Sequence, residues 1–301
     1  MTKTLIQNAR LLDPATNTDM TGDLLVAGDT IAAFGPGLEA PSDAETLDAQ
    51  GLCLAPGIID LRVKTGEPGE EHRETIGTAS RAAVAGGITT MAVMPDTNPV
   101  IDDVALVEFI ARRGASRGTN RIYPIGALTQ NLGGEAMAEI GMMREAGALY
   151  FSNGEANLAN AGTMKRILTY AAGRGVTVSV RPMDQMLAGS GVMNAGALAS
   201  RMGLFGMGHD AEIVAGQRDI LLAENAGATL LLDQVSTPQL ITMIKTAKDR
   251  GADIHCTAAA HHLFFQEDDV GDYLTYCKVS PPFRSEESRQ ALLKAAQART
   301  I

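Results

Sequence analysis

Arg62 and Lys64 stand two residues apart in an apolar run, Ile58-Ile59-Asp60-Leu61-Arg62-Val63-Lys64, that opens after Pro56-Gly57 and leads into Thr65-Gly66-Glu67-Pro68-Gly69. Alternate residues of a strand project from one face, so two imidazoles at such positions would share one Zn²⁺. Arg and Lys are cations near neutral pH, and neither is an ordinary zinc ligand. Guanidinium and ammonium groups suit carboxylate or phosphate instead.

Other residues with chemical potential are few. His255, Cys256, His261 and His262 form the only His/Cys cluster of the sequence. It reads as a strand end and its loop rather than a displaced metal site. His255 and Cys256 are adjacent, and adjacent strand residues point to opposite faces, which argues against a thiolate dyad. His72 and His209 are isolated. Gly86-Gly87 and Gly133-Gly134 lack the spacing of phosphate-binding loops and read as helix ends and turns. Residues 189–208, rich in Gly and Met, read as a mobile loop, either a contact surface or simply a long connection.

The elements that must position these residues follow from the patterning. The chain has 301 residues, 45% hydrophobic and 20% charged, with a formal charge of −10. That composition is ordinary for a folded protein, and an acidic balance argues against nucleic acid and anionic membranes. No apolar run approaches the ~20 residues needed to span a bilayer. Three widely spaced cysteines fit reduced cytosolic thiols, so a cytoplasmic location is expected.

Residues 1–54 read as short strands separated by turn pairs, a β-sandwich segment. Residues 55–301 alternate between strands and amphipathic helices. The predicted strands are 58–64, 89–94, 121–128, 148–152, 176–181, 229–234 and 253–257. The predicted helices are 74–85, 103–113, 135–145, 162–174, 211–225 and 238–250. Seven such units in one run favour a parallel (β/α)₈ barrel over an open Rossmann sheet. An eighth strand is missing from the count. The expectation is a fragment, with a partner covering the gap as the alternative.

Several strings resemble one family. Gly66-Glu67-Pro68-Gly69-Glu70-Glu71-His72-Arg73-Glu74-Thr75, Gly86-Gly87-Ile88-Thr89-Thr90 through Pro95-Asp96-Thr97-Asn98-Pro99, Arg218-Asp219-Ile220-Leu221-Leu222-Ala223-Glu224 and Lys278-Val279-Ser280-Pro281-Pro282-Phe283-Arg284 are similar, in this order, to the dihydroorotases. The resemblance covers nearly the whole chain. It implies a TIM barrel of the amidohydrolase type with a β-sandwich built from both termini. It also implies a zinc-dependent closure of carbamoyl-aspartate to dihydroorotate in pyrimidine synthesis.

Carried over residue by residue, the resemblance implies that the site is lost. The family's His-x-His falls on Arg62 and Lys64, its bridging acid on Asn153, and its later histidines on Arg181 and Gln234. A substrate-binding Asn falls on Asp96, an Arg on Gly66 and another Asn on Ser280. No zinc and no catalytic residue is therefore expected. Arg62, Lys64, Asp96 and Arg181 remain as candidate ligand-binding residues. Alternatively, the cations pair with Asp60, Asp96, Glu67 or Asp184 and fill the space a metal leaves.

The resemblance then implies an inactive dihydroorotase-like protein. It would be a homo-oligomer and a structural partner of aspartate carbamoyltransferase or of an active dihydroorotase. One alternative is a cyclic amidohydrolase with residual or altered activity, with Lys64 as a metal-free base. Another is a small-anion sensor.

Overall fold

In the computed structural model, residues 2–301 are described. They divide into two compact units, residues 2–59 with 87–89 and residues 60–86 with 90–301. The first unit holds β1 (Lys3–Asp13), β2 (Thr18–Ala27), β3 (Thr30–Gly35), β4 (Ala44–Asp48) and β5 (Cys53–Leu54). Its sheet runs β3-β2-β1-β4, with β5 also on β1. The β1–β2 and β2–β3 pairs are antiparallel, and β4 and β5 lie parallel to β1. The β1–β2 register slips between Ile6 and Ala9, where Asn8 takes a left-handed φ of 57°. The buried carboxylate of Asp23 holds that bulge by accepting from the Asn8 backbone N–H at 3.0 Å.

The second unit is built on seven strands that follow one another in chain order. They are β6 (Ile58–Val63), β7 (Ile88–Val93), the broken strand β8 (Arg121–Pro124) and β9 (Gly126–Ala127), β10 (Phe151–Ser152), β11 (Val178–Val180), β14 (Leu230–Leu232) and β15 (Ile254–Cys256). The pairings from β7–β8 onward are parallel. The strands form two sheets, β6-β7-β8 and β9-β10-β11-β14-β15, and backbone bonds link them across the break at Ile125. The Ile125 N–H donates to Val93 on one side, and the Gly126 N–H donates to Tyr150 on the other. Gly126 is required there, because a Cβ would come within 2.5 Å of the Phe151 ring. A short pair, β12 (Met193–Asn194) with β13 (Gly206–Met207), lies apart.

The connecting helices are α1 (Ile76–Ala85), α2 (Val104–Arg117), α3 (Ile140–Glu145), α4 (Ala161–Ala172), α5 (Gln185–Ala188), α6 (Ala197–Met202), α7 (Asp210–Ala226), α8 (Pro238–Asp249), α9 (His261–Phe264) and α10 (Glu286–Gln297). Side-chain caps start several of them: Thr75 on α1, Asp103 on α2, Asn160 on α4 and Ser285 on α10. Each satisfies amide donors that the first turn leaves without partners. Helical spacing then turns one face inward, as with Met164, Ile167, Leu168 and Ala171 of α4, all fully buried. Met164, Ile167 and Leu168 each contribute about 2 kcal/mol by leaving water.

Two local expectations are corrected. Residues 135–138 are not helical: Ala136 and Ala138 bond back to Gln130 and Leu128, with a bridge from Thr129 to Met137, and α3 begins only at Ile140. The Met-rich stretch 189–208 is not one loop. It carries β12, α6 and β13, and buries Met193 and Met207.

Candidate functional site

The C-terminal ends of the parallel strands bring the charged residues together, as expected where strand ends and their loops form a cleft. Arg62 lies near the end of β6, and Lys64 just past it. Asp96 follows β7, Glu155 follows β10, Arg181 follows β11 and Asp233 follows β14. Left-handed Gly154 (φ 61°) brings the loop after β10 against Asp96. A Cβ on it would stand 3.1 Å from the Asp96 carboxyl carbon.

Three cations meet three carboxylates. The Arg62 guanidinium is 12% exposed and donates through Nη1 to Asp233 and through Nη2 to Glu155 Oε1 at 2.6 Å. The Lys64 ammonium lies 2.6 Å from Asp96 Oδ2 and 3.6 Å from Glu155 Oε1. Arg181, only 8% exposed, donates through Nη1 to Glu155 Oε2 and through Nη2 to the Ser280 hydroxyl. Burial, and then the charge of Arg62, push the Arg181 guanidinium below its ordinary value.

The surrounding shell fixes this arrangement. Asp233 Oδ1 accepts from the Thr257 hydroxyl at 2.6 Å, and the same hydroxyl accepts the Gln234 N–H at 2.9 Å. The Tyr150 hydroxyl donates to the Leu61 carbonyl one residue before Arg62. Burial, reinforced by the charge of Asp233, raises the Tyr150 phenol.

Arg62, Lys64, Asp96 and Arg181 thus belong to one network. Asn153 and Gln234 do other work. Buried Asn153 accepts from the Thr129 N–H and exchanges hydrogen bonds with its hydroxyl, pinning the loop after β9. Gln234 holds a left-handed φ of 59°, and its buried Oε1 has no hydrogen-bond partner. A left-handed non-glycine backbone is sparsely populated and costs of order 1–3 kcal/mol.

The candidate partner acids are largely corrected. Asp96 does pair with Lys64. Asp60 instead accepts the Arg62 backbone N–H, buried Glu67 bonds to Arg113 and the Ile76 N–H, and Asp184 caps α5. Sequence reasoning missed Glu155 and the pairing role of Asp233. Their signal was position alone: Glu155 is two residues past Asn153, and Asp233 directly precedes Gln234.

The donor set does not fit zinc. Three cations occupy the mouth, the Asn153 oxygen is engaged by Thr129, and all three carboxylates are paired with cations. Among the described residues, no three His, Cys, Asp or Glu side chains come together as a metal ion would need. The histidine cluster lies elsewhere in chemical terms. His255 is exposed and pairs with Asp253, while buried His262 bonds through Nε2 to the carbonyls of Pro281 and Pro282. Cys256 is buried, which pushes its thiol up to about 11.

Comparison with known proteins agrees with this fold. The L-hydantoinase from Arthrobacter aurescens aligns over 100% of this chain and 68% of its own, with a TM-score of 0.86 at 25% identity. A D-hydantoinase aligns over 99% of this chain and 67% of its own, with a TM-score of 0.78 at 20% identity, a likeness of fold. Fold and strand-end site together define an amidohydrolase-type α/β barrel with an N-terminal sheet. The dihydro-orotase-like family profile matches residues 51–239. A dihydroorotase of Pelobacter propionicus is 39% identical over 297 residues, covering 99% of this chain and 70% of the relative. One of Geotalea daltonii is 40% identical over 287 residues, covering 95% and 68%. The chain belongs to the dihydroorotase-like family.

Proposed function

We propose that this chain is a dihydroorotase-like protein of pyrimidine biosynthesis, cytoplasmic, that no longer performs zinc-dependent ring opening. In this reading it serves as a structural partner of aspartate carbamoyltransferase. The observation that carries the loss of activity is the closed charge network of Arg62, Lys64 and Arg181 with Asp96, Glu155 and Asp233. Opening a cyclic amide by metal catalysis needs an ion to polarise the carbonyl and a bound water lowered to hydroxide. The mouth offers no ligand set for that ion. Its carboxylates are committed to cations and are poor candidates for a general base.

The partnership draws support from the surface. Met186, Phe205, Phe264 and Tyr276 are 91%, 74%, 75% and 78% exposed. The Tyr273 hydroxyl donates to the Met202 carbonyl at 2.6 Å and ties the segments that carry Phe205 and Tyr276. Exposed aromatic and Met side chains are enriched at protein contact surfaces.

The test is dihydroorotate ring opening by the folded protein with added Zn²⁺, alongside co-purification with aspartate carbamoyltransferase. We expect no turnover above a protein-free blank and recovery of the transferase. Turnover that disappears in Lys64→Met would establish instead an altered cyclic amidohydrolase, with Lys64, whose side chain is 53% exposed, as the reacting group. Recovery of neither the transferase nor an active dihydroorotase would end the partnership reading.

A further inference from the structure

Glu155 differs from the other two carboxylates of the mouth. The side chains of Asp96 and Asp233 are 16% and 10% exposed, whereas that of Glu155 is 43% exposed. Glu155 nevertheless meets all three cations. Its Oε1 faces Arg62 and Lys64, and its Oε2 faces Arg181. The two oxygens therefore occupy the place where a free carboxylate would be gripped by two guanidinium groups and one ammonium, the geometry that favours planar anions.

The cations do not depend on Glu155 for their positions. Arg62 is anchored by Asp233, Lys64 by Asp96 and Arg181 by Ser280. Arg181 also has donor capacity to spare, since its buried Nε has no acceptor. If Glu155 turned outward, three fixed cations would face two recessed carboxylates, leaving one positive charge uncompensated. Glu155 is the carboxylate of the three with the most access to water, so it is the one that can be rehydrated by turning outward.

We propose that the barrel mouth binds a small carboxylate anion in place of the Glu155 side chain, held by Arg62, Arg181 and Lys64. Glu155 is then an internal stand-in for the ligand. This assignment is independent of any partner protein, so its failure would leave the partnership reading untouched.

Titration calorimetry with sodium succinate at fixed ionic strength tests it, on the parent chain, Glu155→Gln and Glu155→Ala. Circular dichroism confirms that each is folded. Removing the internal competitor is expected to tighten succinate binding about ten-fold or more in both variants. Adding Arg181→Met to Glu155→Gln is expected to abolish the gain. Two results would overturn the proposal: binding no tighter in either Glu155 variant than in the parent, or a gain that survives Arg181→Met.

Discussion

Charge burial ranks the residues of the mouth. Arg62 and Asp233 are both nearly enclosed, at 12% and 10% exposure. Removing one member of such a pair leaves an uncompensated charge, a loss of about 3–5 kcal/mol. Arg62→Met should therefore lower the urea midpoint by an amount equivalent to about 3 kcal/mol, the low end of that range, because Thr257 still serves Asp233. Lys64→Met should cost about 1 kcal/mol or less, because Lys64 is half-exposed and its pair is screened. Equal losses in the two variants would mean that burial does not set the strength of these pairs. The strand-end positions of Arg62, Lys64 and Arg181 were legible in the sequence, since each follows an apolar run, and the three meet at Glu155. The neutralising partners were harder to see. Glu155 and Asp233 lie 93 and 171 residues from Arg62, and nothing local distinguishes them from solvated acids.

Elements were legible where periodicity and caps agreed. The strand–helix alternation followed from apolar runs broken by Gly, and α1, α2, α4, α7 and α8 begin within two residues of their predicted starts. Residues 135–138 went astray because the spacing of Met137, Ile140 and Met143 suits a helix, while backbone bonds to residues 128–130 win locally. The most consequential packing was invisible. Glu212, in the first turn of α7, looks like an ordinary acid favoured by the helix dipole. In the structure it is buried and accepts from the backbone N–H and hydroxyl of both Ser236 and Thr237. The Arg284 guanidinium lies 3.5 Å away and also reaches Asn194 and the Met207 carbonyl. One carboxylate thus joins α7, the loop before α8, the β12–β13 pair and the segment before α10. Glu212→Ala strands a buried guanidinium and four donors, so a loss of about 4 kcal/mol is expected by calorimetric unfolding. Glu212→Gln, which keeps the shape and some acceptors, should lose less. A Glu212→Ala variant as stable as the parent would remove this junction from the account.

At the scale of the molecule, an acid-sensitive stability is built into the second unit. Burial, then the neighbouring His261, lowers His262 from its ordinary value of 6.5 to about 4. The unfolded chain takes up a proton near pH 6.5 while the folded one resists until near pH 4. Stability should therefore fall as pH drops through that window, by up to about 3 kcal/mol. Above pH 6.5 this contribution is fully present. His262→Leu should flatten the acid limb of a stability–pH profile between pH 4 and 6.5, and an unchanged slope would assign the limb to other groups. The first unit shows a different whole-molecule trait. Ile31 and Phe34 of its sheet are 62% and 57% exposed, beside Ile6, Leu24 and Val26. An apolar sheet face of this kind is what one half of a sandwich presents. Among the described residues, no helix is long and apolar enough to cross a membrane.

Glu155 also sets a threshold. Tethered to β10 by two residues, its carboxylate samples the mouth at an effective concentration of about millimolar or more. A free anion must match that local concentration before it displaces the side chain. Scarce metabolites would pass unregistered, and only one abundant enough to compete with a tethered rival would fill the mouth. On the proposal that a free carboxylate replaces Glu155, the mouth would answer to plenty rather than to presence.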